Sequence, residues 1–342
     1  MLVTLALAAL ADTCEHYEPP QSTNIGGVRE ASGLAVSRTR PGVIYTHEDK
    51  GSQPVITAID AMDGTIVGEH LVRDAKNEDW EDIAAAPCPD EGACLYIGDI
   101  GDNDRSRASV VVYVIREPQE GDDRVRTIAR WTAVYPDSAR DAETLMVMPC
   151  SGRVHLVTKD GDGDSRVFRF PARVQGTVTL EQVGRLQVDG PVAEARQVTG
   201  GDWDVDGDRV AIRTSSEILE WTVDPERPNA HWTTPPTIVE GANELQGEAL
   251  AYGLDGELWS ATEGGLVISE FACPEQVASD HACDFPRAGL SGCGCTQQPG
   301  SPAWWLALPL ALLGLRYRRM DTASPGAISS SSSSRTGTPY SG

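Results

Sequence analysis

From about Asn24 to Cys273 the chain alternates short runs of β-forming residues with turns rich in Gly, Asp and Pro, and helical periodicity is hard to find. The runs recur in register. A first strand reads Glu30-Ala-Ser-Gly-Leu-Ala-Val36, Asp79-Trp-Glu-Asp-Ile-Ala-Ala85, Asp141-Ala-Glu-Thr-Leu-Met-Val147, Thr199-Gly-Gly-Asp-Trp-Asp-Val205 and Gln246-Gly-Glu-Ala-Leu-Ala-Tyr252. Each is followed by a turn and a second strand: Gly42 to Thr46, Cys94 to Gly98, Arg153 to Thr158, Arg209 to Arg213 and Glu257 to Ala261. The apolar anchors Leu34, Ile83, Leu145, Trp203 and Leu250 lie about 45 to 60 residues apart, the period of a four-stranded propeller blade. The pattern predicts an all-β chain, a β-propeller of five blades. A six-bladed ring with one degenerate blade is the next architecture, and a two-sheet sandwich the third.

Closure matters in a ring, because an open edge strand can pair with other chains. The fifth unit lacks an outermost strand after Leu266-Val-Ile-Ser-Glu-Phe271, and the segment between Thr13 and Val28 is expected to supply it.

First strands line the channel of a propeller. Counting two residues back from each anchor gives Ser32, Glu81, Glu143, Gly201 and Glu248, so three of five equivalent positions are glutamates. Two like charges about 5 Å apart repel by roughly 3 kcal/mol at an effective dielectric near 20, so such carboxylates need a cation, a proton or a basic neighbour. Calcium, which takes about six to eight oxygen ligands, fits a set formed by Glu81, Glu143 and Glu248 with Asp99 or Asp102 nearby. The competing remedy is internal pairing with Lys159 and Arg213, which end second strands.

Three acidic stretches have the composition of ligand loops. Asp202-Trp-Asp-Val-Asp-Gly207 opens like an EF-hand loop but has Arg213 at the twelfth position, and Asp206-Gly207 is better read as a hairpin turn. Asp160-Gly-Asp-Gly-Asp164 has Pro171 there, which leaves a local surface calcium loop as its only ligand role. Gly98-Asp-Ile-Gly-Asp-Asn-Asp104 lies beside the expected channel and is the strongest of the three. His47, ending a second strand near the channel mouth, is the one candidate general base, against the plainer expectation of a surface histidine bonded to Glu48 or Asp49. His155, Trp80 and Trp203 are read as packing residues. No G-x-S-x-G elbow, H-E-x-x-H or P-loop occurs.

The 342 residues carry a formal net charge of −23, which argues against nucleic acid or an anionic membrane surface as partner and favours divalent cations. Eight cysteines suggest disulfides in an oxidising compartment. Cys88 and Cys94 flank a hairpin tip and are expected to pair, Cys273 with Cys283 is the next pair, and Cys14 with Cys150 remains.

Export is the matching expectation at both ends. Leu2 to Leu10 is apolar and ends in an A-x-A-like pattern before Asp12, which reads as a signal peptide over 1–11. Lipidation at Cys14 ranks lower, because Asp12 and Thr13 stand where small residues are required. At the other end Gly292-Cys-Gly-Cys295 precedes an apolar run from Pro302 to Leu315 and the cluster Arg316-Tyr-Arg-Arg319. The run is short of the roughly 20 residues a stable span needs. This layout resembles the MYXO-CTERM sorting signal of myxobacterial surface proteins. The resemblance implies processing by a sorting protease at Cys293 and Cys295 and display at the cell surface or outer membrane. The expected organisation is 1–11 signal peptide, 12–285 propeller, 286–300 linker with the Gly-Cys motif, 301–319 sorting segment and 320–342 a disordered serine-rich tail.

Asn77-Glu-Asp-Trp-Glu-Asp-Ile-Ala84, Leu95-Tyr-Ile-Gly-Asp-Ile-Gly-Asp-Asn103, Asp141-Ala-Glu-Thr-Leu145, Val198-Thr-Gly-Gly-Asp202 and Gly247-Glu-Ala-Leu-Ala251 resemble a group of exported bacterial propeller proteins similar to the esterase-like, phytase-like and lactonase-type propellers. The resemblance implies the fold; function has to come from the site. Two functions are expected to compete. One is a surface-displayed, calcium-stabilised propeller that binds a ligand or partner. The other is a calcium-dependent hydrolase of phosphoric or carboxylic esters. A phosphorylated substrate would need several basic residues, and only Lys50, Lys159 and Arg213 are placed to serve.

Overall fold

Burial declines from the inner to the outer strand of each repeat, and the sequence explains why. Inner strands such as Trp80–Pro87 are buried along nearly their whole length because neighbouring sheets cover both faces. The outer strand Arg124–Val134 alternates, with Arg124, Arg126, Ile128 and Arg130 turned to solvent. The computed structural model describes Cys14 to Cys273 apart from residues 15, 29, 150, 225, 242–245 and 263–266. The N-terminal apolar run, Cys150, Cys283, the Gly-Cys motif and the sorting segment lie outside the described residues.

Twenty-one strands make up the described fold. β1 (Gln21–Asn24) precedes a first antiparallel unit of β2 (Ala31–Val36), β3 (Val43–Glu48), β4 (Val55–Asp60) and β5 (Ile66–Arg73). The second unit is β6 (Trp80–Pro87), β7 (Ala93–Asp99), β8 (Val110–Arg116) and β9 (Arg124–Val134). The third is β10 (Ala142–Met148), β11 (Arg153–Thr158), β12 (Asp164–Arg169) and, past the short β13 (Thr177–Thr179), β14 (Glu181–Gln187). The fourth is β15 (Val198–Trp203), β16 (Arg209–Thr214), β17 (Ile218–Thr222) and β18 (Thr237–Ile238). The fifth is β19 (Gly247–Tyr252), β20 (Leu258–Thr262) and β21 (Val267–Phe271), completed on its outer edge by β1. The chain is a β-propeller. Its innermost strands neighbour one another in a cycle, β2 to β6, β6 to β10, β10 to β15, β15 to β19 and β19 back to β2.

The N-terminal strand closes the ring as its sequence position suggested. β1 pairs antiparallel with β21, Gln21 opposite Glu270 and Asn24 opposite Val267. This pairing brings the ends of the domain together, and Cys14 is bonded to Cys273 with Cα atoms 5.8 Å apart. That corrects both the expected Cys273–Cys283 pair and the expected Cys14–Cys150 pair: the sequence shows a short polar loop after the last strand, but the tertiary pairing carries Cys14 to Cys273. Cys88 and Cys94 are joined across the β6–β7 hairpin as expected, at 4.9 Å.

Five apolar clusters of buried residues lie between successive units of the ring. Ile83, Leu95 and Ile97 pack on Tyr45 and Ile56 between the first and second units. Leu34 and Ile44 pack on Ala249, Trp259 and Ile268 between the first and fifth. At about 1.5–3 kcal/mol for each fully buried aliphatic side chain, these interfaces carry the bulk of the stabilisation. Trp80 and Trp203 are buried in them as expected, Trp80 edge-on to His47 and Trp203 beside His155 and His231.

Buried aspartates stitch adjacent inner strands. Asp82 accepts from the backbone amides of Ile83 at 2.8 Å and of Leu145, in the next unit, at 2.9 Å. Asp202 does the same for Trp203 at 2.8 Å and Tyr252 at 3.1 Å.

Candidate cation-binding channel mouth

Every inner strand carries a β-bulge at the same point, and the bulged residues define the channel position. The pairing register shifts between Ala31 and Gly33, Trp80 and Asp82, Ala142 and Thr144, Val198 and Gly200, and Gly247 and Ala249. The equivalent residues are therefore Ser32, Glu81, Glu143, Thr199 and Glu248. Thr199 replaces Gly201 in the alignment made from apolar anchors. The anchor equivalent to Leu34 in the fourth unit is Gly201, where a Cβ would stand 2.8 Å from Ile212 Cδ1, so no apolar side chain marks the register there.

The two hydroxyl residues of the set hold neighbouring strands. Ser32 Oγ donates to the Glu81 carbonyl at 2.9 Å and Thr199 Oγ1 to the Gly247 carbonyl at 2.7 Å. The three glutamates share one mouth of the channel with the residues just before the inner strands and just after the second strands. Asp49, Asp79 and Glu81 present carboxylate oxygens within 4.8 Å of one another, and so do Glu81, Asp141 and Glu143. Glu248 is outside both groups but within electrostatic reach of Glu143 and Lys159.

The electrostatics of the mouth are those of carboxylates crowded out of water. Burial, with Glu143, Asp49, Asp79 and Asp141 adding to it, holds Glu81 well above the usual carboxylate range. Burial pushes Glu143 up to about 8 against the pull of Lys159, with Asp141 and Glu248 contributing to the rise. Lys159 Nζ lies 2.6 Å from Glu143 Oε1. Burial disfavours its charge, yet Glu143, Glu248 and Glu81 keep Lys159 above the ordinary lysine value. Lys50 Nζ reaches Asp79 Oδ2 at 2.8 Å from a largely exposed position.

Neighbouring loops build the walls. Asn77 Nδ2 donates to the carbonyls of Glu48 and Asp49 at 3.1 and 3.0 Å, which ties the end of β3 to the start of β6. The amides of Ile100 and Gly101 both donate to the Asp79 carbonyl at 3.1 Å. A Cβ on Gly101 would stand 2.0 Å from Glu81 Oε1, so only glycine leaves the Glu81 carboxylate its place.

Asp99 and Asp102 have bonding partners of their own. Asp99 accepts from the Asp79 amide at 3.1 Å and pairs with Arg107 at 2.9 Å. Asp102 accepts from the amides of Ser106 and Arg107 at 2.9 and 2.8 Å, so both its oxygens hold the loop. The Gly98–Asp104 stretch thus serves the mouth through Gly101 beside Glu81, the Asp99 carboxylate on the Asp79 amide and the Asp102 amide on Asp141. Arg213 is buried against Gly247, where a Cβ would meet its Nη2 at 1.8 Å. His47 is not the expected surface histidine: it is fully buried, with Nδ1 3.2 Å from the Glu48 carbonyl, and burial lowers it to about 4, so its ring is closed off from solvent at the channel mouth. Asp160 is bonded to Arg105 and Thr158, and Asp164 to Arg185, which leaves the surface loop internally paired. Gly207, at φ 76°, forms the expected turn, with Asp204 Oδ1 accepting from the amides of Gly207, Asp208 and Arg209.

Asp49, Asp79 and Asp141 were not among the expected site residues. The legible signal for two of them is the repeated Asp-x-Glu of Asp79-Trp-Glu81 and Asp141-Ala-Glu143. Asp49 has none, because only the ring brings the end of β3 beside β6.

No protein-family model matches the sequence. No curated protein matches it either. Among solved structures, a PQQ-bound aldose sugar dehydrogenase from Streptomyces coelicolor aligns with a TM-score of 0.43 at 14% identity, over 74% of this chain and 98% of that one. A glucose dehydrogenase aligns with a TM-score of 0.44 at 12% identity, over 75% and 100%. At these values no activity passes from them to this chain.

Proposed function

We propose that this protein is an exported, surface-displayed β-propeller whose channel mouth binds calcium and, through that cation, a ligand or partner. The observation that carries the reading is Glu81. It is 6% exposed, it makes no hydrogen bond or ion pair through its carboxylate among the described residues, and two groups of carboxylates crowd against it. A buried carboxylate in that setting needs a cation or a proton, and calcium matches the all-oxygen ligand set. Display at the surface rests on the apolar N-terminal run and the C-terminal sorting pattern, and the two disulfides suit an oxidising compartment.

The hydrolase alternative is weaker. Ester hydrolysis of a phosphorylated substrate calls for basic groups free to take its oxygens, and Lys50 and Lys159 are each engaged by a carboxylate of the mouth.

Thermal melts of the full chain test the binding reading. Calcium is expected to raise the melting temperature over that measured with a chelator, and Glu81→Gln to remove most of the rise. Superimposable melts with calcium and chelator would overturn it.

A further inference from the structure

The carboxylates at the channel mouth form two groups, and a single residue belongs to both. Glu81 groups with Asp49 and Asp79 and also with Asp141 and Glu143, the carboxylate oxygens of each group lying within 4.8 Å of one another. Resting on the cation reading above, we infer that the mouth holds two adjoining divalent-cation subsites bridged by Glu81, one completed by Asp49 and Asp79 and the other by Asp141 and Glu143.

Crowded acids alone do not make a site, and two further observations point to ligands here. Asp79 is 1% exposed, and its Oδ1 has no hydrogen-bond partner among the described residues. Glu81 is likewise buried and unengaged through its carboxylate. An unpaired buried carboxylate oxygen keeps its full desolvation cost, so Asp79 Oδ1 beside the buried Glu81 carboxylate marks where a cation is expected.

The remaining ligands share a single design. Asp79 uses Oδ2 for Lys50, Asp141 uses Oδ1 for the Asp102 amide at 2.8 Å, Glu143 uses Oε1 for Lys159, and Asp49 uses Oδ1 for the Lys50 amide. In each, one oxygen fixes the carboxylate to the scaffold and the second is left for coordination, which is how pre-oriented ligands are held. Charge also favours two ions. When all five are ionised, the carboxylates against the ammoniums of Lys50 and Lys159 leave more negative charge than one divalent cation neutralises. Three carboxylates per subsite fall short of the roughly six to eight oxygens calcium takes, which leaves positions on both ions for oxygen donors of a bound ligand.

Equilibrium dialysis of the full chain against calcium, with elemental analysis of the retained metal, counts the sites. Two ions per chain are expected. Asp49→Asn and Asp141→Asn should each retain one, Glu81→Gln should weaken both at least tenfold, and Asp162→Asn in the surface loop should retain two. One ion in the native chain, or two that persist in both aspartate variants, overturns the bridged pair while leaving a single cation site standing. No bound calcium overturns both readings. A measurement that needs no variant is energy transfer between terbium and europium loaded together: transfer is expected for adjoining ions, and its absence overturns the bridge.

Discussion

Lys159 Nζ rests 2.6 Å from Glu143 Oε1 at a point where Glu81 and Glu248 also act on its charge, so one lysine serves three channel glutamates. Lys159 follows β11 and Glu143 lies on the paired β10, so that contact is made within one unit, while ring closure brings Glu81 and Glu248 into electrostatic reach from the neighbouring inner strands. In the absence of metal, Lys159 offsets the glutamates of the mouth and Lys50 offsets Asp79.

Removing that charge separates the two roles. Lys159→Met is expected to lower stability in chelator by about 1–3 kcal/mol, because a buried carboxylate loses its partner. Added calcium is then expected to raise the melting temperature of the variant more than that of the native chain. Thermal melts of both proteins in chelator and in calcium check it, and an equal calcium response would show that Lys159 and the cation do not address the same carboxylates.

Much of this architecture was legible because it repeats. The five first strands, their partners and the closing N-terminal segment all follow from local pattern, and β11 (Arg153–Thr158) matches its expected range residue for residue. The register of the fourth unit was not legible. Gly200 and Gly201 remove the apolar anchor that marks the other four, and Trp203 stood in for it. Glu81 and Glu143 could be found from their equivalence, whereas Asp49 became a neighbour only through the packing of one sheet on the next. Cys14–Cys273 was hidden for a similar reason, since its sequence separation of 259 residues is bridged by β1 pairing with β21.

The cross-blade role of Asp82 predicts a large loss from a small change. Asp82→Ala strips the acceptor from the buried amides of Ile83 and Leu145 and is expected to cost about 2–4 kcal/mol. Asp162→Asn, on an exposed turn where the side chain bonds only the Asp164 amide, should stay within about 0.5 kcal/mol. Chemical denaturation of both variants in chelator measures the difference, and similar losses would mean that Asp82 is not a strand-to-strand tie.

The ring-closing disulfide makes a prediction about both ends of the domain. Cys14→Ala is expected to cost about 2–5 kcal/mol and to expose the segment before β1 to protease, because the bond restricts the unfolded chain over a long loop and fastens the edge strand. Cys88→Ala should leave that segment protected, since its bond spans only the β6–β7 hairpin. Limited proteolysis with and without reductant distinguishes them. Non-reducing peptide mapping that joined Cys273 to Cys283 would remove the basis of the prediction.

Buried neutral histidines give the domain an acid-sensitive component of known sign. Burial lowers His155 to about 3, with Arg169 adding to the effect, and its ring packs 6.0 Å from Trp203 in the interface between the third and fourth units. In the unfolded chain a histidine titrates near 6.5, so between that value and about 3 the unfolded state binds the extra proton. The stability His155 contributes is therefore fully present above pH 6.5 and is lost as pH falls toward 3, by about 2 kcal/mol on reaching pH 5. Glu143, raised to about 8, works in the opposite direction over the neutral range, so the histidine effect has to be read as a difference between two proteins. His155→Phe keeps a ring against Trp203 and removes the titration. Urea denaturation from pH 7 to pH 5 should show the native chain losing about 2 kcal/mol more than the variant, and parallel losses would mean that His155 is protonated within the fold at pH 5 without penalty.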